Sequence, residues 1–305
     1  MTGLIFSTMA AGCSAFSNLF FRKNSVGKGE RDNSTAYLMV FYLFSFSMSI
    51  VLYPKIWVQP FNLTMFSIGC FVGLFNVALM ILTAKALQTG PSGLTFAFQN
   101  TSSVFPGLLL FALFGKEFGF TWTYGQIVGI GLVFYGLYLG TKKDKPGKDD
   151  QISGTWIKYA IGCILVQIMA LSLIQGRCIL FDCADKDHFL SRFALSQSDD
   201  VWFMPGLFGT AFLVQFFSFL KEKRLPPTSC LYYGSLGGLA NFSSTVLLML
   251  ATKYALPFEK GLLFPCSAVA TTLFCNLWAN KLYKEEFNVA ANATCVLGIL
   301  VGSLA

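Results

Sequence analysis

The stretch from Gly73 to Gly136 restricts this chain more than any other. It is apolar almost throughout. Its breaks are a Gln88-Thr89-Gly90-Pro91 corner, a polar patch from Gln99 to Ser103, and a Lys116-Glu117 pair. The stretch has an echo from Gly238 to Gly302. Gly73, Leu74 and Asn76 find Gly238, Leu239 and Asn241; Lys116-Glu117 finds Lys284-Glu285; Gly136 finds Gly302. The offset is about 165 residues with small insertions, so the chain reads as two halves of one design.

Composition decides what solvent such runs meet. Of the 305 residues, 54% are hydrophobic and 12% charged, with a mean hydropathy of +0.60. A soluble chain carries roughly 25% charged residues, so lipid is the expected solvent. The length fits about ten spans of roughly 20 residues with short connections, leaving little for a water-soluble catalytic domain. The net charge of +7 does not argue for nucleic acid, because the cations fall in loops between apolar runs, as orientation signals do. Most of the nine cysteines sit in apolar runs as small hydrophobes. Cys178 and Cys183 share a loop; they could pair on an oxidising face, but the unbridged reading is favoured. With no C-x-x-C pair and His188 as the single histidine, no metal or other cofactor is expected. The first apolar run has no basic segment before it and is read as a retained helix.

The spans are expected near 2–21, 35–53, 63–87, 92–114, 122–139, 156–174, 201–220, 229–250, 261–278 and 287–304. All five tryptophans (Trp57, Trp122, Trp156, Trp202, Trp278) lie close to span ends, where an amphipathic ring prefers the interface. Residues 1–140 form the first half, 141–153 a polar linker (TKKDKPGKDDQ at its core), and 154–305 the second half. Loops after odd-numbered spans hold roughly 15 of the 22 Lys and Arg, which places those loops in the cytoplasm and both termini outside. Five spans per half make the second half enter from the opposite side. The expected fold is therefore an all-α membrane protein, ten transmembrane helices arranged as two inverted five-helix repeats. In that architecture a substrate site lies near mid-bilayer at the repeat interface.

Several motifs in this order carry a family resemblance. They are Ala86-Leu87-Gln88-x-Gly90-Pro91, Pro106 in the fourth span, Lys116-Glu117 at its end, and Gly129-x6-Gly136 in the fifth. The second half repeats them as Ala251-Thr252-Lys253-Tyr254-Ala255, Lys284-Glu285 and Cys295-x6-Gly302. The chain resembles the EamA-like, ten-helix branch of the drug/metabolite transporter superfamily over most of its length. The resemblance implies a carrier whose cavity is lined by spans three, four, eight and nine, with help from one and six. It implies cargo such as amino acids, sugars, nucleotide sugars or purine-type metabolites. Two departures stand out. Studied members keep both termini in the cytoplasm, against the cation count here, and Cys295 replaces a glycine-like position.

Polar groups inside a span are costly and face protein or water. The candidate substrate-binding residues are Asn18, Asn76, Gln99, Asn100, Ser103, Gln167, Asn241 and Ser267, with Phe98 beside the polar patch. Asn76 and Asn241 occupy matching repeat positions and would approach one axis; the bland alternative is amides that tie helices together. Lys85, Lys253 and Lys260, near span ends, are candidates for anion capture, although snorkelling to headgroups is the favoured reading. No Asp or Glu lies deep in an expected span. Exchange, facilitated diffusion, or coupling through a peripheral group such as Glu259 is favoured over proton drive.

These features point to a secondary transporter of a small organic metabolite, working by alternating access in a cell or inner membrane. Its expected partners are the small-molecule substrate and the lipid bilayer, as a monomer or homodimer, with no nucleic acid. A receptor or scaffold without transport is the alternative. A membrane-embedded enzyme would need convergent His, Asp, Glu or Ser chemistry within the spans, which the chain lacks.

Overall fold

The computed structural model of the chain describes residues 2–25, 33–52, 54–90, 92–115, 118, 123–141, 154–183, 189–254, 263–284 and 289–304. All regular structure among them is helical. The helices are α1 (Thr2–Ser25), α2 (Ser34–Val51), α3 (Leu63–Thr89), α4 (Ser92–Thr101), α5 (Phe105–Phe114), α6 (Tyr124–Thr141), α7 (Gly154–Gly176), α8 (Ile179–Asp182), α9 (Phe203–Leu220), α10 (Thr228–Tyr254), α11 (Leu263–Tyr283) and α12 (Val289–Leu304). Short 3-10 turns cover Pro54–Trp57, Ser102–Val104, Phe189–Phe193 and Gln197–Trp202.

Seven helical stretches are long and apolar enough to cross a bilayer, one of them running through α4 and α5 as Leu94–Phe114. The chain is a multi-pass membrane protein, all-helical among the described residues. Shorter apolar helices occupy Ile127–Gly136 and Val289–Gly302. Observed helices start and end within a few residues of the expected spans because local chemistry marks their ends. Asn62 caps α3, its side chain accepting the Met65 N–H at 3.0 Å. Linker residues 142–153 and the Lys116-Glu117 pair lie outside the described residues.

Apolar side chains line the outside as well as the inside. Phe16, Phe71, Leu74, Phe134, Leu165 and Phe217 are exposed, as a lipid-facing surface requires. Burial of apolar area therefore does not drive these helices together; close packing does. The main core gathers Phe21, Tyr37, Phe41, Tyr42, Met65, Phe96, Phe203 and Phe208 from α1, α2, α3, α4 and α9. A second cluster forms around Trp156, which is fully buried and donates its indole N–H to Thr95 Oγ1 at 2.9 Å.

The helices exchange partners between the halves. α1 packs along α10, and α7 packs along α3. α2 lies on α10, and α9 lies on α3. α1 meets α11, while α7 meets α4 and α5. α6 pairs with α12, α2 with α9, and α4 with α11. Glycines set the closest approaches. A Cβ on Gly69 or Gly73 would strike the Phe203 or Leu207 carbonyl of α9. One on Gly238 would strike the Phe41 carbonyl of α2. Gly129 of α6 faces Gly302 of α12, where an added Cβ would sit 2.6 Å from the Gly302 Cα. Cys295, the departure from a glycine-like position, is accommodated by Gly136, whose missing side chain leaves room for its sulfur.

This packing makes a direct prediction. Gly73→Leu and Gly238→Leu each meet backbone that cannot yield and should cost about 1–3 kcal/mol or more. Gly131→Ala, with nothing within 4 Å of its new carbon, should be neutral. Thermal unfolding of the purified variants in detergent measures the difference.

Candidate functional site

The fourth span is broken where its polar patch lies. Pro106, at the second position of α5, has no N–H to give to the Ser102 carbonyl, and its ring crowds that turn. The chain answers with a 3-10 turn over Ser102–Val104, closed by the Phe105 N–H to Ser102 O. Hydroxyls satisfy the loosened carbonyls: Thr101 Oγ1 donates to Phe98 O and Ser102 Oγ to Gln99 O, each at 2.7 Å. The break turns Asn100, Ser102 and Ser103 toward the middle of the bundle.

There they line a cavity of about 110 Å³. Its wall also takes Ser14 from α1, Gln167 and Leu171 from α7, Ser244 and Leu248 from α10, and Phe264, Ser267, Ala268 and Thr271 from α11. Eight of these twelve side chains are polar and none is charged. Drug-sized clefts run to roughly 300–1,000 Å³, so in this conformation the cavity suits a few waters or a small solute. The lining offers hydroxyls and amides that both donate and accept. The Ser103 hydroxyl oxygen is buried with no hydrogen-bond partner in the described protein, so it is available to a guest. Asn100 is already engaged, donating to Thr272 Oγ1 at 3.0 Å.

Toward the α11 C-terminus, the helices around the cavity carry a run of aromatic contacts. Asn18 Nδ2 donates to Cys275 Sγ at 3.6 Å. Beyond it Phe96 meets Trp278 edge-on at 5.8 Å, Trp278 meets Tyr283 at 5.8 Å, and the Arg22 guanidinium sits 5.0 Å from the Tyr283 ring centre. In the other direction lies a recess of about 20 Å³, lined by Ile174, Arg177, Phe203, Thr245, Leu248, Met249 and Thr252. Leu248 borders both spaces. Arg177 is 3% exposed. Its Nε donates to Asp200 Oδ1 at 2.9 Å, its Nη1 to Ile174 O at 2.7 Å, and the guanidinium lies 4.7 Å from the Phe203 ring centre.

Among the residues expected from sequence, Asn100, Ser103, Gln167 and Ser267 converge on the cavity. Gln99 stands behind that wall, its Oε1 3.3 Å from the Thr83 hydroxyl. Phe98 is buried against Trp156 at 5.3 Å and does not line the cavity. Asn18 belongs to the aromatic run. Asn241 lies one turn from Ser244 on the same face of α10, with its amide nitrogen buried and unpartnered in the described protein. Asn76 is half-buried on α3, outside the described lining, so that helix contributes nothing to this wall. Lys85 is exposed, 5.7 Å from the Tyr159 ring centre, at the periphery. Lys260 and the Lys253 side chain lie outside what is described.

Ser14, Ser244 and Thr271 were not expected from sequence. Spacing carries their signal: Asn241, Ser244 and Leu248 share one helical face, as do Ser267 and Thr271. Arg177 was also missed, because a cation at the end of an apolar run normally reads as an interfacial anchor.

No model of a known protein family matches the chain, and no curated protein matches it.

The cross-helix bond from Asn100 is testable by itself. Asn100→Leu strands the Thr272 hydroxyl and should cost about 0.5–2 kcal/mol. Ser103→Ala, which breaks no bond, should melt at the wild-type temperature in the same detergent.

Proposed function

We propose that the chain is a secondary transmembrane transporter of a small organic metabolite, working by alternating access through the central cavity. The classes in view are amino acids, nucleoside-derived solutes and sugars. In this reading ten helices span the membrane as two inverted five-helix repeats, in the manner of the EamA-like drug/metabolite carriers that the sequence motifs resemble. The helix pairings support the repeat. Exchanging α1, α2, α3, α4/α5 and α6 for α7, α9, α10, α11 and α12 maps each major contact onto another or onto itself. Gly73 against α9 and Gly238 against α2 are matched positions in that exchange.

The observation that carries the function is the cavity. A chamber between helices of both halves, with eight polar and no charged residues in its described lining, is costly in a membrane protein without a use for it. Its hydroxyls and amides would replace the water shell of a polar solute. Rocking of one half against the other would open the two closures in turn.

Reconstitution of the full chain in liposomes, with a panel of labelled amino acids, nucleosides and sugars, tests this. Wild type should move at least one class. Ser267→Phe, which fills much of the chamber, should cut that flux by about tenfold or more while melting near wild type. A wild-type protein that moves nothing on the panel favours the receptor or scaffold. Undiminished flux through Ser267→Phe moves the pathway elsewhere.

A further inference from the structure

We infer that the end of the bundle where α1, α9 and α11 finish is a docking site for anionic phospholipid, and that Lys223 and Lys284 meet the headgroup phosphates there. Such a site requires only that the chain spans a membrane, so it stands apart from the transport reading.

The backbone points to these two lysines. Among the described residues other than glycine, Lys223 and Lys284 have positive φ, at 49° and 53°. A side chain in that left-handed region crowds the following carbonyl, and glycine is the residue that escapes the cost. The chain shows the unstrained solution at another helix end. Gly115, at φ 67°, follows α5 with its N–H on Phe111 O at 2.7 Å. Lys284 follows α11 with the same bond, to Asn280 O at 3.1 Å. One helix stops on glycine and the other stops on lysine in the same conformation. The turn asks only for the backbone; lysine adds a charge. Lys223 lies three residues past α9, its N–H on Leu220 O at 3.3 Å. Strain of this kind persists where the side chain is needed in that place.

Contacts across helices put both lysines at one end. Arg224, next to Lys223, donates from Nη1 to Asn33 Oδ1 before α2 at 2.9 Å. Tyr283, next to Lys284, has the Arg22 guanidinium of α1 5.0 Å from its ring centre. Lys23 donates to the Tyr233 hydroxyl of α10 at 2.7 Å. Cys230 Sγ ties the ends together, 3.8 Å from both Asn24 Oδ1 and Asn33 O. Lys23, Lys221, Lys223, Lys281 and Lys284 are all exposed. The described acid in their midst, Glu222, is paired with Arg224 at 2.6 Å. In sequence, Glu285 and Glu286 follow Lys284, while Lys28 and Arg31 offset Glu30 and Asp32; cations still outnumber acids at this end.

Lipid-facing surface adjoins the cations. Leu220, Leu231, Tyr232 and Leu282 are exposed within a few residues of them. Tyr232 and Tyr233 pack edge to face at 5.1 Å beside Lys23, an aromatic pair of the kind that marks headgroup depth. The ammonium groups thus have phosphates at their own level and acyl chains below. A phosphodiester suits lysine, a compact charge with three rotating donors. A zwitterionic headgroup brings its own cation, so net attraction favours the anionic lipid. On the cation count this end faces the cytoplasm, where anionic lipid gives the leaflet its negative potential.

The full chain in detergent, titrated with phosphatidylglycerol, phosphatidylcholine or inorganic phosphate, decides it, with melting temperature as the readout. Phosphatidylglycerol should raise the melting temperature saturably; the other two should not. Lys223→Gly/Lys284→Gly should melt at or above wild type without lipid, because the strain is relieved. It should need about tenfold or more phosphatidylglycerol for the same half-effect. Lys223→Arg/Lys284→Arg, which keeps the charge, should respond as wild type does. Lys221→Ala/Lys281→Ala, at positions with ordinary backbone, should move the half-effect less than the glycine pair. A glycine pair with the wild-type lipid response overturns the site, and so does an equal response to phosphatidylcholine or inorganic phosphate. Equal loss in Lys221→Ala/Lys281→Ala reduces the end to a diffuse positive field and overturns the role of the two lysines. A glycine pair that melts below wild type without lipid overturns the strain that singles them out.

Discussion

Close backbone contact at glycines holds this protein together. Lipid tails are as apolar as leucine, so helices gain little by hiding apolar side chains from them. What remains is dispersion at short range, and dispersion needs proximity. Gly69 and Gly73 let α3 lie against the α9 backbone, Gly238 does the same for α10 on α2, and Gly129 and Gly302 bring α6 onto α12. The aromatic core around Tyr37, Phe41, Phe203 and Phe208 fills the space these contacts frame. Large side chains can face outward in such numbers because inward packing is not bought with them.

The same constraint explains why the polar residues matter. With helices packed this tightly, an amide or hydroxyl inside a span must find a partner or a wet space. Some find partners: Asn276 donates to Asn292 at 2.6 Å, Trp156 to Thr95 at 2.9 Å, and Asn100 to Thr272 at 3.0 Å. Others converge instead on one chamber. That chamber exists because Pro106 interrupts the fourth span and turns its serines inward. On one side it meets packed aromatic rings; on the other it meets leucine and a buried ion pair. The two closures differ in chemistry, and so they should respond to different triggers.

Much of the fold was legible in the residues. Charged loops, prolines and the Asn62 cap mark helix ends clearly, so the expected spans and the observed helices agree within a few residues. The broken fourth span was half legible: Pro106 and the Gln99 to Ser103 patch were visible, while the hydroxyl-to-carbonyl bonds that turn the patch inward were not. Asn100, Ser103, Gln167 and Ser267 stood out because polar atoms in apolar runs are conspicuous. Ser14, Ser244 and Thr271 did not, since a lone small hydroxyl in a helix normally bonds its own backbone. Matched position in the sequence echo did not bring Asn76 and Asn241 to the same place relative to the described cavity. Asn241 sits a turn below the chamber, but Asn76 lies outside its described wall, because α3 packs on α7 and α9 rather than around the cavity. Arg177 was hidden by its place at the end of a run, where sequence cannot tell a snorkelling cation from one folded inward.

The central claim is that two closures flank one chamber and open in alternation. Asn18 Nδ2 lies 3.6 Å from Cys275 Sγ, so Asn18→Cys sets two thiols near one another on α1 and α11, and an oxidised or bis-thiol cross-link between them would lock the aromatic closure. The measurement is impermeant-reagent labelling of a Gln167→Cys reporter from each face of oriented vesicles, with that cross-link formed and then reversed. The account predicts labelling from the Arg177 face alone when locked, and from both faces once reversed. Labelling from both faces with the cross-link intact, or from neither face in either state, would contradict it.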